Sequence, residues 1–504
     1  MGTKKRTADK KRLAEIMRWF PEAFTKVFLF LMAGIFLFYY HDNYLDIVWA
    51  KKTFFQNTAL ILLLLSAVFG IPAWLRTWKA KKIRPVNLTD LFALIFLITI
   101  VLSCIMSQAG SEAFWGNQGR MIGGCFLLLC LAVYYIVSVY YKSSQFLIWT
   151  FLLANCAMWV LVILNFFSVD ALHMYENLAD EQHTFFIGTM GNVNINSGYS
   201  GIAVSLMAAF YYMGKETVTK RCFWIAVSLG IYACFAIRSD SWLLALFGAY
   251  AVILVFAMKK RETLQKWRML CLAFFCGSLA MKLTVLLESA AGGDHICIQD
   301  LCTQRLLWDV LLNSKVLLAE LVFLVLLWIL LKSPGVDFVE KHGNKILTGA
   351  LIAFGIIILS AVFPLEDSFG NGRGYIWKRM LLNFKEFPFW QKLIGYGPNC
   401  FLQSMEERYG AEMRRLYTYP FLDAHNEALQ FLAVTGILGV VSYFGMQVSL
   451  WVSCVRNRNE STAALLGCVG IAAYMLQGLV NNPQVFTTPL LFLFLGIVRN
   501  KMRS

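Results

Sequence analysis

A chain of 504 residues that is 59% hydrophobic and 15% charged, with a mean hydropathy of +0.61, is too apolar for a soluble globule. Its formal charge of +15 sits on short connectors between apolar runs, so it reads as membrane topology rather than as a nucleic-acid footprint. Those runs recur from near residue 27 to residue 498, each roughly 17–25 residues long, the length a helix needs to cross the hydrocarbon core.

The expected fold is an all-α, polytopic transmembrane helix bundle of about 14 spans, one transmembrane domain over 1–504. The N-terminal MGTKKRTADKKR followed by Val27–Tyr40 has the charge pattern of a signal peptide. With no small-residue cleavage site after it, it reads as a retained first span. In chain order the spans centre on 24–41, 57–76, 88–106, 121–141, 145–167, 196–214 and 222–238. They continue at 240–258, 268–288, 313–331, 346–363, 427–454, 462–480 and 485–499.

The connectors alternate. The N-terminal tail, Arg76–Arg84, Lys142, Lys215–Arg221, Lys259–Arg268, Lys332–Lys345, Arg456–Arg458 and Arg499–Arg503 are basic. The intervening loops, notably Asp170–His183 and Glu288–Asp309, are neutral or acidic. Because positive loops stay inside, both termini are expected in the cytoplasm. The long loop 364–426, between spans 11 and 12, is then extracytoplasmic. Its stretches LLNFKEFPFWQKL and SMEERYGAEMRRLY have the spacing of short amphipathic helices at the interface.

The informative polar residues break this pattern. Arg120, Arg238, Arg373 and His425 are cations on the outer side. Guanidinium groups fork onto phosphate oxygens, and a histidine titrating near neutrality accepts a proton from a hydroxyl. Arg238 and Arg373 on a pyrophosphate with His425 as base make a glycosyl-transfer site that needs no metal and no cofactor. The alternative reading has both arginines snorkelling to the interface and His425 capping a helix. No His-Glu-x-x-His and no clustered Cys/His set suggests zinc, and no Asp-x-Asp suggests a metal-bound nucleotide sugar. Elsewhere, Lys282 and Glu320 on adjacent spans are expected to form a structural ion pair, with a proton-coupling role as the alternative, and Gly436 and Gly439 to allow close helix packing. Cys297 and Cys302 share a polar loop, which leaves a disulfide open.

The segments RGYIW, FPFWQKLIGYGPNCF and DAHNEALQFLAVTGILG resemble, in that order, the signature region of the O-antigen ligase and polymerase superfamily. AFWGNQGRMIGG (Ala113–Gly124) and TMGNVNINSGYSG (Thr189–Gly201) are similar to the family upstream. The resemblance implies transfer of a glycan from an undecaprenyl-pyrophosphate-linked donor to a hydroxyl of a glycan, lipid or cell-wall acceptor. His425 would be catalytic and Arg238 and Arg373 would bind the pyrophosphate, with Arg120, Asn194 and Asn426 as secondary candidates. It places the site at the outer face of a bacterial cytoplasmic membrane, among membrane lipids and without nucleic acid. A polymerase would use the same site. A transporter or flippase for an anionic lipid-linked glycan is the reading from another class; it would place charges near the midplane on broken helices with matching halves.

Overall fold

The computed structural model describes residues 19–79, 87–291, 306–343, 345, 349, 366–417, 421–458 and 462–502. Helices α1 (Trp19–Phe38), α2 (Ile47–Lys79), α3 (Leu88–Met106), α4 (Ser111–Trp115), α5 (Gly124–Tyr140) and α6 (Gln145–Phe166) lead into the centre of the bundle. There follow α7 (Val193–Met213), α8 (Thr217–Ile237), α9 (Ser241–Ala257), α10 (Arg261–Ala291), α11 (Leu306–Leu311) and α12 (Ser314–Lys332). The long loop contributes α13 (Phe369–Glu386), α14 (Phe389–Ile394) and α15 (Phe401–Leu416). Helices α16 (Glu427–Arg456), α17 (Thr462–Gln477) and α18 (Thr488–Lys501) close the chain. No strand is formed among the described residues, only an isolated bridge between Phe186 and Asn192.

This is a polytopic helical membrane protein. Among the described residues eight helices are long and apolar enough to cross a membrane: α1, α2, α3, α6, α8, α10, α12 and α16. Three shorter apolar helices, α5, α9 and Ala463–Gln477 within α17, lie among them. Every expected span up to residue 332, and each of the last three, coincides with a helix. The 346–363 segment falls almost wholly outside the described residues, as do Cys297 and Cys302.

Helix α7 organises the centre. It is wrapped by α8, α9 and α17, and Val204, Met207 and Ala208 have no exposed surface. Its first turns are polar, with Asn194, Asn196, Ser197 and Ser200, and their needs are met inside the bundle. Ser200 Oγ, for example, donates to Asn196 Oδ1 at 3.1 Å and accepts from Trp159 Nε1 at 3.1 Å. A buried polar turn in lipid is stable only when each group finds such a partner. Lys51 follows the same rule, donating to the carbonyls of Phe36 and Leu37 that the end of α1 leaves unpaired.

Helix α16 is broken. Gly436 sits at φ 65°, ψ −168°, outside helical geometry. Residues 427 and 443 would be about 24 Å apart along a straight helix. Here the Tyr443 hydroxyl donates to Glu427 Oε1 at 2.9 Å, and the rings of Phe431 and Tyr443 lie 4.2 Å apart. The carbonyls freed by the break are taken by the loop after α14: Tyr396 N donates to Ala433 O (2.9 Å) and Gly397 N to Val434 O (3.0 Å). A Cβ on Gly436 would stand 2.5 Å from the Leu393 backbone, and one on Gly395 would stand 2.2 Å from Thr435 N. Gly436 therefore admits a loop rather than a helix, which corrects the expectation of simple helix packing. Gly439 belongs to the same break, since its Cβ would meet Thr435 Oγ1 at 1.9 Å.

Lys282 and Glu320, expected to pair, form no ion pair with each other, and Glu320 Oε2 has no hydrogen-bond partner among the described residues. Helices α10 and α12 do pack together, so adjacency is right and the register of the two side chains is not.

Candidate functional site

The site gathers where α7, α9 and α16 begin and where α8 and α17 end. Its centre is the short segment that enters α16. Asp423 is completely buried, and its Oδ1 accepts from the backbone N–H of His425 at 2.8 Å. The same oxygen lies 3.3 Å from His425 Nδ1. That distance puts Nδ1 on the Asp423 side of the ring, within charge range of the carboxylate. His425 has φ 47° and keeps 30% of its side-chain surface exposed, so the ring is half-buried at a strained turn.

Arg120 supplies the second contact to Asp423, Nε to Oδ2 at 2.5 Å. Burial works against the Asp423 charge, but Arg120, the His425 ring and its N–H overcome it and hold the carboxyl at about 2. For His425 the balance runs the other way. Burial depresses its pKa below the ordinary imidazole value; Asp423 opposes this, and Arg120 and Arg373 add to the depression. The imidazole is therefore neutral at pH 7, the form that accepts a proton.

Arg373 lies in the first turns of α13, within electrostatic reach of Asp423 and Asp240. Burial lowers its pKa while those two carboxylates oppose the shift, and a guanidinium stays charged under such pressure. The helix is fixed against the His425 segment one turn on, where Trp377 Nε1 donates to Ala424 O at 2.8 Å. Residues 373 and 377 share a face of a helix, so that bond turns Arg373 toward the same segment.

Arg238 ends α8 in the left-handed region, φ 63°, and its guanidinium stands 5.8 Å from the centroid of the Phe166 ring. The turn it opens is pinned to α7. Ser239 Oγ donates to Asn194 Oδ1 (2.7 Å), Ser197 Oγ donates to Ser239 O (2.8 Å), and Trp242 N donates to Ser197 Oγ (3.0 Å). Asp240 in this turn is the carboxylate that Arg373 senses, which brings the turn up to Arg373.

The structure thus draws His425, Arg373 and Arg120 into one electrostatic cluster, while Arg238, at the head of the Asp240 turn, has its guanidinium against Phe166. Asn194 anchors that turn. Asn426 is engaged by the fold itself: Oδ1 accepts from Leu429 N (3.0 Å) and Nδ2 donates to Leu479 O (3.0 Å). It is the cap of α16, so the capping role imagined for His425 belongs to its neighbour. Asp423 and Trp377 escaped the sequence reading. The signal for Asp423 was its place two residues before the histidine in DAHNEALQ.

A separate cavity of about 180 Å³ between α1, α6, α7, α17 and α18 is lined by apolar side chains such as Met32, Phe151 and Leu491, and holds none of the candidate residues.

The O-Antigen ligase family model matches residues 225–444, a stretch that includes Arg238, Arg373, Asp423 and His425 and leaves Arg120 and Asn194 outside it. No curated protein matches the chain.

Proposed function

We propose that the chain, whose residues 225–444 match the O-Antigen ligase family model, is a membrane glycan transferase of that family and moves a glycan from undecaprenyl pyrophosphate to an acceptor hydroxyl at the outer face of a bacterial cytoplasmic membrane. The observation that carries the reading is the Asp423–His425 contact beside Arg373. It brings an imidazole whose pKa burial lowers together with a carboxylate and a cation at one end of the bundle.

The step balances without a metal. The acceptor oxygen attacks the anomeric carbon while its proton passes to His425 Nε2. The bond from that carbon to the pyrophosphate oxygen breaks, and the lipid pyrophosphate leaves with the electron pair. Asp423 holds Nδ1 and stabilises the imidazolium that forms. Arg373 and Arg238 neutralise the charge that grows on the leaving pyrophosphate, an interaction stronger in the transition state than before it. Arg120 acts through Asp423 rather than on the donor.

The test is incubation of purified protein with a lipid-pyrophosphate glycan and candidate acceptors, followed by analysis of the products. Glycan on a new core, protein or wall polymer is the expected result for a ligase, and a longer lipid-linked glycan identifies a polymerase. Movement of the lipid across a bilayer with no covalent product would overturn the proposal. Adding a chelator is expected to leave the rate unchanged.

A further inference from the structure

We propose that Asn399 is a positioning residue for the base: its carboxamide fixes the loop that carries Arg120, and through Arg120 and Asp423 it sets the ring of His425. The inference rests on the reading of His425 as the base.

Asn399 stands in the GYGPNC turn at φ 62°, a conformation asparagine tolerates better than most residues. Its side chain makes three hydrogen bonds to one distant segment. Oδ1 accepts from Ile122 N at 2.9 Å, and Nδ2 donates to Glu112 Oε1 at 2.7 Å and to Gln118 O at 2.8 Å. Glu112 in turn accepts from the N–H groups of Asn117 (3.2 Å) and Gln118 (3.0 Å). From the opposite side Lys52 Nζ donates to Trp115 O (2.9 Å) and Gly116 O (2.7 Å). Residues 115–122 contain no regular helix after Trp115, so these side chains supply the partners that a ladder would otherwise provide. Arg120 lies inside the clipped stretch.

The same turn is bonded to α16. Tyr396 and Gly397 hold the carbonyls at the helix break, three and two residues before Asn399. One stretch of chain, 396–399, is thereby fixed both to the helix that follows His425 and to the loop that carries Arg120. Those two partners are 303 residues apart in sequence at the Arg120–Asp423 contact, so nothing local sets their distance. Asn399 sets it.

The charged groups facing His425 are Asp423 from its own segment, Arg120 from the clipped loop and Arg373 from α13. Releasing the loop withdraws one cation from His425 and uncovers the Asp423 charge. Both changes make the imidazole more basic. Because the base works in its neutral form, the acid limb of the pH–rate profile then moves to higher pH.

The experiment compares transfer by wild type, Asn399→Gly and Glu112→Gln, with His425→Ala alongside. Glycine keeps the positive φ of the turn while deleting all three bonds. Expected for Asn399→Gly are a kcat lower by roughly 10–100-fold, a donor KM close to wild type, and an acid limb raised by about one pH unit. Glu112→Gln weakens the same clip without touching the turn and shifts the limb in the same direction by less. If Asn399→Gly fails to fold, Glu112→Gln decides alone. An unshifted acid limb with His425→Ala inactive overturns the role of Asn399 and leaves the base intact. Full transfer by His425→Ala removes the base itself, and this inference with it.

Discussion

In the proposed mechanism Asp423 is the carboxylate beside the base, with Oδ1 3.3 Å from His425 Nδ1. Asp423→Asn is therefore expected to lower kcat by roughly 10²–10⁴ while the protein still inserts and binds donor; kinetics on the purified variant check it, and an unchanged kcat would leave the imidazole self-sufficient. The pH dependence follows from the depressed His425 pKa. Transfer should fall as pH drops through a value below 6.5, the ordinary value for the group; a limb above that value would mean that the charges around the ring act differently. Arg373→Lys should raise donor KM by roughly tenfold or more, because a charge-assisted fork is worth about 1.5–3 kcal/mol and an ammonium cannot reproduce its geometry. The cations were legible in the sequence because they oppose the expected charge of outer loops. Asp423, Trp377 and Asn399 were not. An acidic or aromatic residue in such a loop is ordinary, and their partners lie 303, 47 and up to 287 residues away.

The helices themselves were readable from hydropathy, since the thickness of the hydrocarbon core dictates the length of an apolar run. The break in α16 was not. Glycine is common in membrane helices, and the cause of the break is a loop some forty residues upstream that presses its backbone against Gly436. The short amphipathic helices of the long loop were foreseen as interfacial, yet the turn between α14 and α15 penetrates the bundle and hydrogen-bonds the opened helix. Gly436→Ala is expected to lower the melting midpoint in detergent and the yield of folded protein, at a cost of roughly 1–3 kcal/mol from the positive φ alone and more from the 2.5 Å contact with Leu393. A melting midpoint equal to wild type would show that the loop is not what holds the break open. The failed pairing of Lys282 with Glu320 has a related origin, because helix rise fixes depth but not rotation, and two side chains at matching depth need not face each other.

Across the whole molecule, the proposed topology puts the His425 end of the bundle on the extracytoplasmic side, as the basic connectors lead one to expect. Phe389 is 77% exposed on α14, so a cysteine placed there in a background without reactive native thiols should label with an impermeant maleimide from outside. A cysteine at Lys260 should label only after permeabilisation; the reverse pattern would invert the topology and detach the site from its proposed face. The account nonetheless turns on proton transfer to one imidazole next to one bound pyrophosphate. The most direct measurement is single-turnover glycan transfer by purified His425→Ala, with binding of the lipid-pyrophosphate donor quantified in the same preparation. The account predicts donor binding near wild type and no detectable product. Product formed at the wild-type rate would contradict it.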